Sequence, residues 1–220
     1  MALNINGTTG ISGVDGSVSA PALTGTDSNT GITFPSADTI KFSTGGVERM
    51  SITNSGITGI AAGITQADQW RITSNFSVSV NSDTYMTSNW ERNDSTGYGL
   101  LGTGMSESSG EFTFPATGIY LVQLHTEVYF STNQNPRLMC RIYATTDGSS
   151  YSYIALGTCH AKDGGFYASS DAFAQFDVTN TSTHKVKFLY YHTGASGAAT
   201  ITGNSSVNET FAGFIRLGDT

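Results

Sequence analysis

Few groups in this sequence could do chemistry, and each takes its meaning from its neighbours. Gly97-Tyr98-Gly99-Leu100-Leu101-Gly102 fits G-x-G-x-x-G, a dinucleotide fingerprint only when a hydrophobic strand precedes it and a helix follows. Here the polar run Glu91–Thr96 precedes it and Gly104–Gly110 follows, so the spacing predicts a Gly-rich strand edge or turn. Gly194-Ala195-Ser196-Gly197 is one residue short of a G-x-S-x-G nucleophile elbow and reads as a loop. His125, His160, His184 and His192 fall on different strands or loops, without an H-x-x-x-H pair. Cys159 and His160 are neighbours on an expected strand, which sends their side chains to opposite faces and away from a shared metal. Glycoside cleavage needs two carboxylates about 5–9.5 Å apart. Glu91, Asp94, Glu127, Asp163 and Asp171 are the candidates, and their spacing singles out no pair. Asp147-Gly148 and Asp163-Gly164 read as tight turns, and neither loop carries the several oxygen ligands in register that calcium takes. No catalytic group, metal site or cofactor is expected.

The elements that hold these residues follow from composition. Charged residues are 12% of the chain and Gly numbers 26, against about 25% charged in ordinary soluble domains. With abundant Ser, Thr and Asn, that mixture suits strands joined by tight turns. Sustained helical periodicity is absent, so the fold is expected to be all-β. The net charge is −7 and the 10 Lys and Arg are scattered, which speaks against nucleic-acid binding through phosphates. No apolar run approaches the ~20 residues that cross a bilayer. Met1–Gly7 lacks a basic stretch before an apolar one, so neither membrane insertion nor a signal peptide is expected. Cys140 and Cys159 are too few for a disulfide framework. They sit on consecutive expected strands, and a reducing cytoplasm favours two buried thiols.

Two parts are legible. Residues 1–65 repeat a small theme, Thr9-Gly10-Ile11-Ser12, Thr30-Gly31-Ile32-Thr33 and Ser55-Gly56-Ile57-Thr58. Single apolar residues spaced by Gly, Ser and Thr bury little within one chain. They require other copies or another protein to cover them. Between the themes, Thr39–Ser43 and Val47–Ile52 flank Gly45-Gly46 and predict a β-hairpin. In residues 66–220 the pattern predicts strands near 70–80, 111–114, 118–130, 137–145, 153–160, 172–178, 185–192 and 208–217, the spacing of a sandwich. The clearest is 118–130. Tyr120, Val122, Leu124, Thr126, Val128 and Phe130 alternate with Gln123, His125, Glu127 and Tyr129, so one face enters a core and the other meets solvent or a partner.

Two resemblances follow from these residues. Gly31–Ile40, followed by Thr44-Gly45-Gly46-Val47-Glu48-Arg49-Met50, resembles the N-terminal segments of phage tail-fibre and other virion proteins, notably of marine hosts. Gly110–Tyr120, with its Pro115 turn and Gly118-Ile119-Tyr120 step, and the closing Phe211-Ala212-Gly213-Phe214-Ile215 resemble the C1q/TNF-like domain. That family's Cys in the first segment is missing, Phe114 lying near its place. The resemblance implies an antiparallel jelly-roll sandwich that assembles as a homotrimer.

Together they imply a non-enzymatic bacteriophage virion protein. Residues 1–63 are expected to contact other virion proteins, and the head to adhere to a bacterial surface glycan or protein. A capsid decoration or head-fibre protein without receptor binding is the alternative, and a short polysaccharide-cleaving tailspike a weaker one. Gln123, His125, Glu127 and Tyr129 are the candidates for the threefold axis, where His125 and Glu127 could pair between chains. Six antiparallel strands across 118–217 make the loops alternate between two ends. The resemblance places both termini at one end, so turns 147–150 and 179–184 are expected beside the short stalk that residues 1–63 form. Loops 131–136, 162–169 and 194–207 then share the far end, with Asn133, Gln134, Asn135, Phe166, Tyr167, Ser196 and Asn204 as candidate receptor contacts.

Overall fold

The computed structural model describes residues 4–6, 10–12, 15–59, 63–131, 136–162, 165–194 and 199–220, with side chains from residue 15 onward. The chain divides into two compact units, Met1–Ala62 and Gly63–Thr220.

The first unit holds β1 (Asn4–Asn6), β2 (Gly10–Ser12), β3 (Gly16–Ser17), β4 (Ala20–Pro21), β5 (Leu23–Thr24), β6 (Gly31–Thr33), β7 (Ile40–Thr44), β8 (Val47–Thr53) and β9 (Gly56–Thr58). Strands β1 and β2 pair, β3 and β4 pair, and β5 to β9 form an antiparallel meander. The expected hairpin is β7–β8, and Gly45 and Gly46 turn it at φ +60° and +73°, the left-handed pair a two-residue hairpin turn takes. The Gly-Ile-Thr themes at 31–33 and 56–58 lengthen it on both sides. Strand pairing places Leu23, Ile32, Phe42 and Met50 in one row. Ile40, Ile52 and Ile57 form a second row on the same face. Leu23, Ile40, Ile52 and Ile57 are all exposed, whereas Thr33, Ser43 and Ser51 are buried. The Ser51 hydroxyl meets that of Thr58 at 2.7 Å. This unit therefore buries hydroxyls and displays aliphatic groups, the reverse of an ordinary sheet.

The second unit is a two-sheet sandwich. Its strands are β10 (Ala67–Ile72), β11 (Phe76–Val78), β12 (Asp83–Tyr85), β13 (Trp90–Arg92), β14 (Ser106–Ser108), β15 (Glu111–Thr113), β16 (Gly118–Phe130), β17 (Arg137–Thr145), β18 (Ser152–His160), β19 (Phe166–Val178), β20 (Lys185–Thr193), β21 (Ala199–Ile201) and β22 (Phe211–Gly218). The front sheet runs β19-β16-β22-β10-β13, with β21 and β11 continuing beside the far half of β16. The back sheet runs β18-β17-β20-β15-β14, and β12 also pairs with β20.

Alternation in β16 buries every even position from Gly118 to Phe130. Thr126, fully buried among them, meets the Tyr190 hydroxyl at 2.9 Å, which satisfies two polar groups that burial would otherwise leave costly. The core between the sheets is aromatic. Phe112 takes the edges of Trp70 and Trp90 at 5.5 and 5.1 Å and packs on Phe188 and Phe214.

The structure corrects three strand expectations. The strand read over 70–80 is two strands, β10 and β11, on different partners. Strand β19 starts at Phe166 rather than 172, because β16 offers it a ladder along its full length, Gly118↔Val178 to Phe130↔Phe166. The expected loop 194–207 contains β21, which pairs with Val128–Phe130 of β16 while β22 pairs with the earlier half. The two are one strand path interrupted by residues 202–210.

Candidate functional site

The outward face of the front sheet carries the four axis candidates. Gln123, His125, Glu127 and Tyr129 stand on the half-exposed side of β16. Directly opposite them on β19 lie Phe173, Asp171, Ser169 and Tyr167. His125 is already engaged within its own chain: Nδ1 is 2.7 Å from Asp171 Oδ1 and the ring lies 5.2 Å from that of Phe211. Glu127 accepts a hydrogen bond from the Thr202 hydroxyl at 3.2 Å. An inter-chain His125–Glu127 pair would therefore have to displace partners both residues hold. Tyr129 packs on Tyr167 at 5.0 Å, and Gln123 lies beside Gly213.

Strands β18 and β19 are the outer strands of the two sheets on the same side. They present Tyr153, Ile154 and Leu156 from one, and Phe166, Tyr167 and Phe173 from the other, all exposed. Ile154 lies where the β17–β18 register shifts, which turns an aliphatic side chain outward. Phe166 and Tyr167 are thus strand residues of this edge, a correction to their expected loop position.

Of the other receptor candidates, Asn133, Gln134, Asn135 and Ser196 lie outside the described residues. Asn204 is not at a loop tip. Its amide N–H donates to the Ile72 carbonyl at 2.7 Å, and its side-chain oxygen accepts from Ser206 and Val207, so it holds the 202–210 excursion in shape. The Gly165 N–H donates to the Phe130 carbonyl and that of Ala161 to the Pro136 carbonyl; residues 132–135 and 163–164 of the expected loops 131–136 and 162–169 lie outside the described residues.

The chemical candidates are dispersed. Gly97 and Gly102 have φ +96° and +75°, and Leu101 bridges Ala67 at the sheet edge. Arg71, 1% exposed, draws Glu91 and Asp94 together at 2.8 and 2.7 Å and donates to Asn93 and Ser95. Both carboxylates are therefore bound to a buried guanidinium that fixes the 91–95 segment. Sequence reading missed Arg71 because a strand Arg ordinarily faces solvent. Asp68 is a second missed hub, 6% exposed, accepting from Trp70, Arg92 and Met105. Among the described residues no group of three or more His, Cys, Asp or Glu could hold a metal.

The thiols of Cys140 and Cys159 are free and buried. Burial pushes both up, Cys159 to about 12. His192 is 1% exposed, and among the described residues neither ring nitrogen has a hydrogen-bond partner. Burial pushes its pKa down.

The back sheet's outward face collects Tyr85, Tyr143, Tyr151, Tyr153 and Tyr191, half of the chain's 10 tyrosines. Arg141 lies over Tyr153 and Tyr191 at 5.5 and 5.2 Å and pairs with Asp83 at 3.3 Å. Lys185 pairs with Glu111 at 2.5 Å, and the Tyr151 hydroxyl donates to the same carboxylate. Burial raises the Glu111 pKa, but the hydrogen bonds from Lys185 and Tyr151 and the charges of Lys185 and Lys187 outweigh it, leaving a net lowering.

No family model and no curated protein matches the sequence. Solved structures do. Eiger TNF from S. frugiperda aligns with a TM-score of 0.52 at 12% identity, covering 72% of this chain and 95% of that one. The PRD1 vertex protein P5 aligns at 0.42 and 16% identity, over 72% of this chain and 100% of that one. The globular domain of zebrafish complement 1qA aligns at 0.41 and 12% identity, over 67% and 94%. The sandwich of residues 63–220 is an antiparallel jelly roll with the fold of Eiger TNF.

Proposed function

We propose that this chain is a structural protein of a bacteriophage particle, a trimeric fibre or spike whose jelly-roll head adheres to the host surface. The observation that carries assembly is the β18–β19 edge. Six exposed apolar or aromatic side chains lie along its two strands, and exposed apolar surface on this scale supports a protein interface. The half-exposed front face offers Ile119, Leu121, Phe211 and Ile215. Edge on one copy against face on the next is a head-to-tail contact, which closes into a ring when the rotation is right. Attachment through residues 1–63 is supported by the first unit's aliphatic face, which nothing within that sheet covers. The virion assignment rests on the likeness of Gly31–Met50 to phage virion segments.

Light scattering on the full chain at micromolar concentration tests assembly, with three times the 23.2 kDa chain mass expected. Phe173→Asp, placing a carboxylate among these side chains, should return one chain mass with β-structure kept. A monomeric parent protein would overturn the reading. Adhesion is tested by binding of labelled trimer to host cells. A trimer that assembles but binds no cell would leave the decoration role instead.

A further inference from the structure

Strands β12 and β15 pair with the same edge of β20, Tyr85 opposite Leu189 and Glu111 opposite Lys187. The strand row is broken between them beside Phe188. The break is a cleft of 490 Å³ lined by Tyr85, Met86, Thr87, Ser108–Glu111, Lys187 and Phe188, within the ~300–1,000 Å³ of small-ligand sites. We propose that this cleft binds an acidic pyranose, the uronate residue of a glycan. The proposal deepens the adhesion reading and rests on it for the ligand's source.

The cleft is fixed before any ligand arrives. The Ser108–Gly110 turn takes φ +54° at Ser109 and +81° at Gly110. The Gly110 amide donates to Glu107 Oε1 at 2.6 Å. A β-carbon on Gly110 would lie 2.0 Å from the Met86 carbonyl oxygen, so the turn rests directly on the opposite wall. Met86 in turn donates its N–H to Phe188 O at 3.1 Å and accepts from Trp90 Nε1 at 3.0 Å.

Its chemistry is that of a sugar site. Tyr85 is 43% exposed and supported from the side by Tyr143 at 6.1 Å, leaving ring surface for the C–H face of a pyranose. Thr87, Ser108 and Ser109 supply hydroxyls at the rim. Lys187 Nζ lies 4.6 Å from the Tyr85 ring and 3.7 Å from that of Tyr151. Among the described residues no carboxylate oxygen stands within 4.0 Å of it; Glu111, opposite it across the strands, is paired with Lys185 and feels the Lys187 charge only at longer range. This ammonium lies against two rings and, among the described residues, has no ion-pair partner of its own. A carboxylate on the sugar resting against Tyr85 supplies one. A densely anionic ligand such as a nucleic acid meets the chain's net charge of −7 and is repelled.

The probe is a hyaluronan tetrasaccharide, alternating glucuronate and N-acetylhexosamine, titrated into the full chain by calorimetry and amide chemical shifts. Saturable binding is expected, weakened at least tenfold when the tetrasaccharide's carboxyls are reduced to alcohols. Tyr85→Ala and Lys187→Met should each weaken the acidic probe tenfold or more, Tyr85→Phe should retain it, and Lys187→Met should no longer distinguish acid from reduced form. Tyr98→Ala, an exposed tyrosine outside the cleft, should change nothing. Absence of saturable binding, or equal affinity for acid and reduced probes, overturns the proposal. Cell adsorption separates it from the wider reading. Host cells binding the Tyr85→Ala, Lys187→Met double variant as well as the parent sink the cleft and leave adhesion standing. A parent that binds the probe but no host cell sinks adhesion and leaves the cleft.

Discussion

Gly157 on β18 faces the backbone of Asp171 on β19 so closely that a β-carbon at 157 would lie 2.1 Å from the Asp171 carbonyl oxygen. The outer strands of the two sheets thus meet at this point without being paired to each other in either sheet. The side chain of the same Asp171 holds His125. One residue therefore ties the edge to the outward face of the front sheet.

Gly157→Ala should destabilise the second unit by about 1–3 kcal/mol, since the obstacle is backbone and cannot rotate away. Gly99→Ala, which meets nothing within 4 Å, should cost far less. Urea unfolding of the two variants measures the difference, and equal midpoints would refute the close approach.

Arg71→Met should cost about 1–3 kcal/mol, because the guanidinium's hydrogen bonds to Asn93 and Ser95 are lost, while Glu91 and Asp94 stay in reach of solvent. Glu91 and Asp94 would then face each other without the guanidinium between them. Lys should not rescue, because one ammonium cannot reproduce the fork that reaches Glu91, Asp94, Asn93 and Ser95,. Thermal unfolding of Arg71→Met and Arg71→Lys tests both statements.

His192 gives the stability a pH dependence of known sign. Its folded pKa lies below the ordinary value of 6.5 because burial disfavours the imidazolium. Below pH 6.5 the unfolded chain binds the proton more readily, so this residue costs stability as pH falls from 6.5 to its folded pKa and has no effect above 6.5. His192→Phe, beside Phe130 at 5.9 Å from the present ring, should flatten the fall in melting temperature between pH 7 and pH 5. A parallel fall in both proteins would refute the assignment.

Cys140 and Cys159 should resist a thiol reagent at pH 8 in the folded protein and react fully in denaturant. The thiolate is the reacting form, and burial raises both pKa values, Cys159 to about 12. Prompt native-state labelling of either thiol would contradict the buried geometry.

The sequence by itself determined the all-β class, the hairpin at Gly45-Gly46 and the two-faced strand 118–130, because period-two alternation and left-handed turns are written in neighbouring residues. It did not place Phe166 and Tyr167 on an edge strand, because strand length is set by the ladder a distant partner offers, here β16. Nor did it show that the Asn204 N–H reaches the Ile72 carbonyl, that Arg71 lies buried against Glu91 and Asp94, or that β12 and β15 leave a break beside Phe188. Those facts join residues twenty to over a hundred positions apart, and no local pattern records which of two strands will share a neighbour's edge. Only tertiary packing decided them, because a buried charge or a gap in a sheet exists only once the other strands have closed around it.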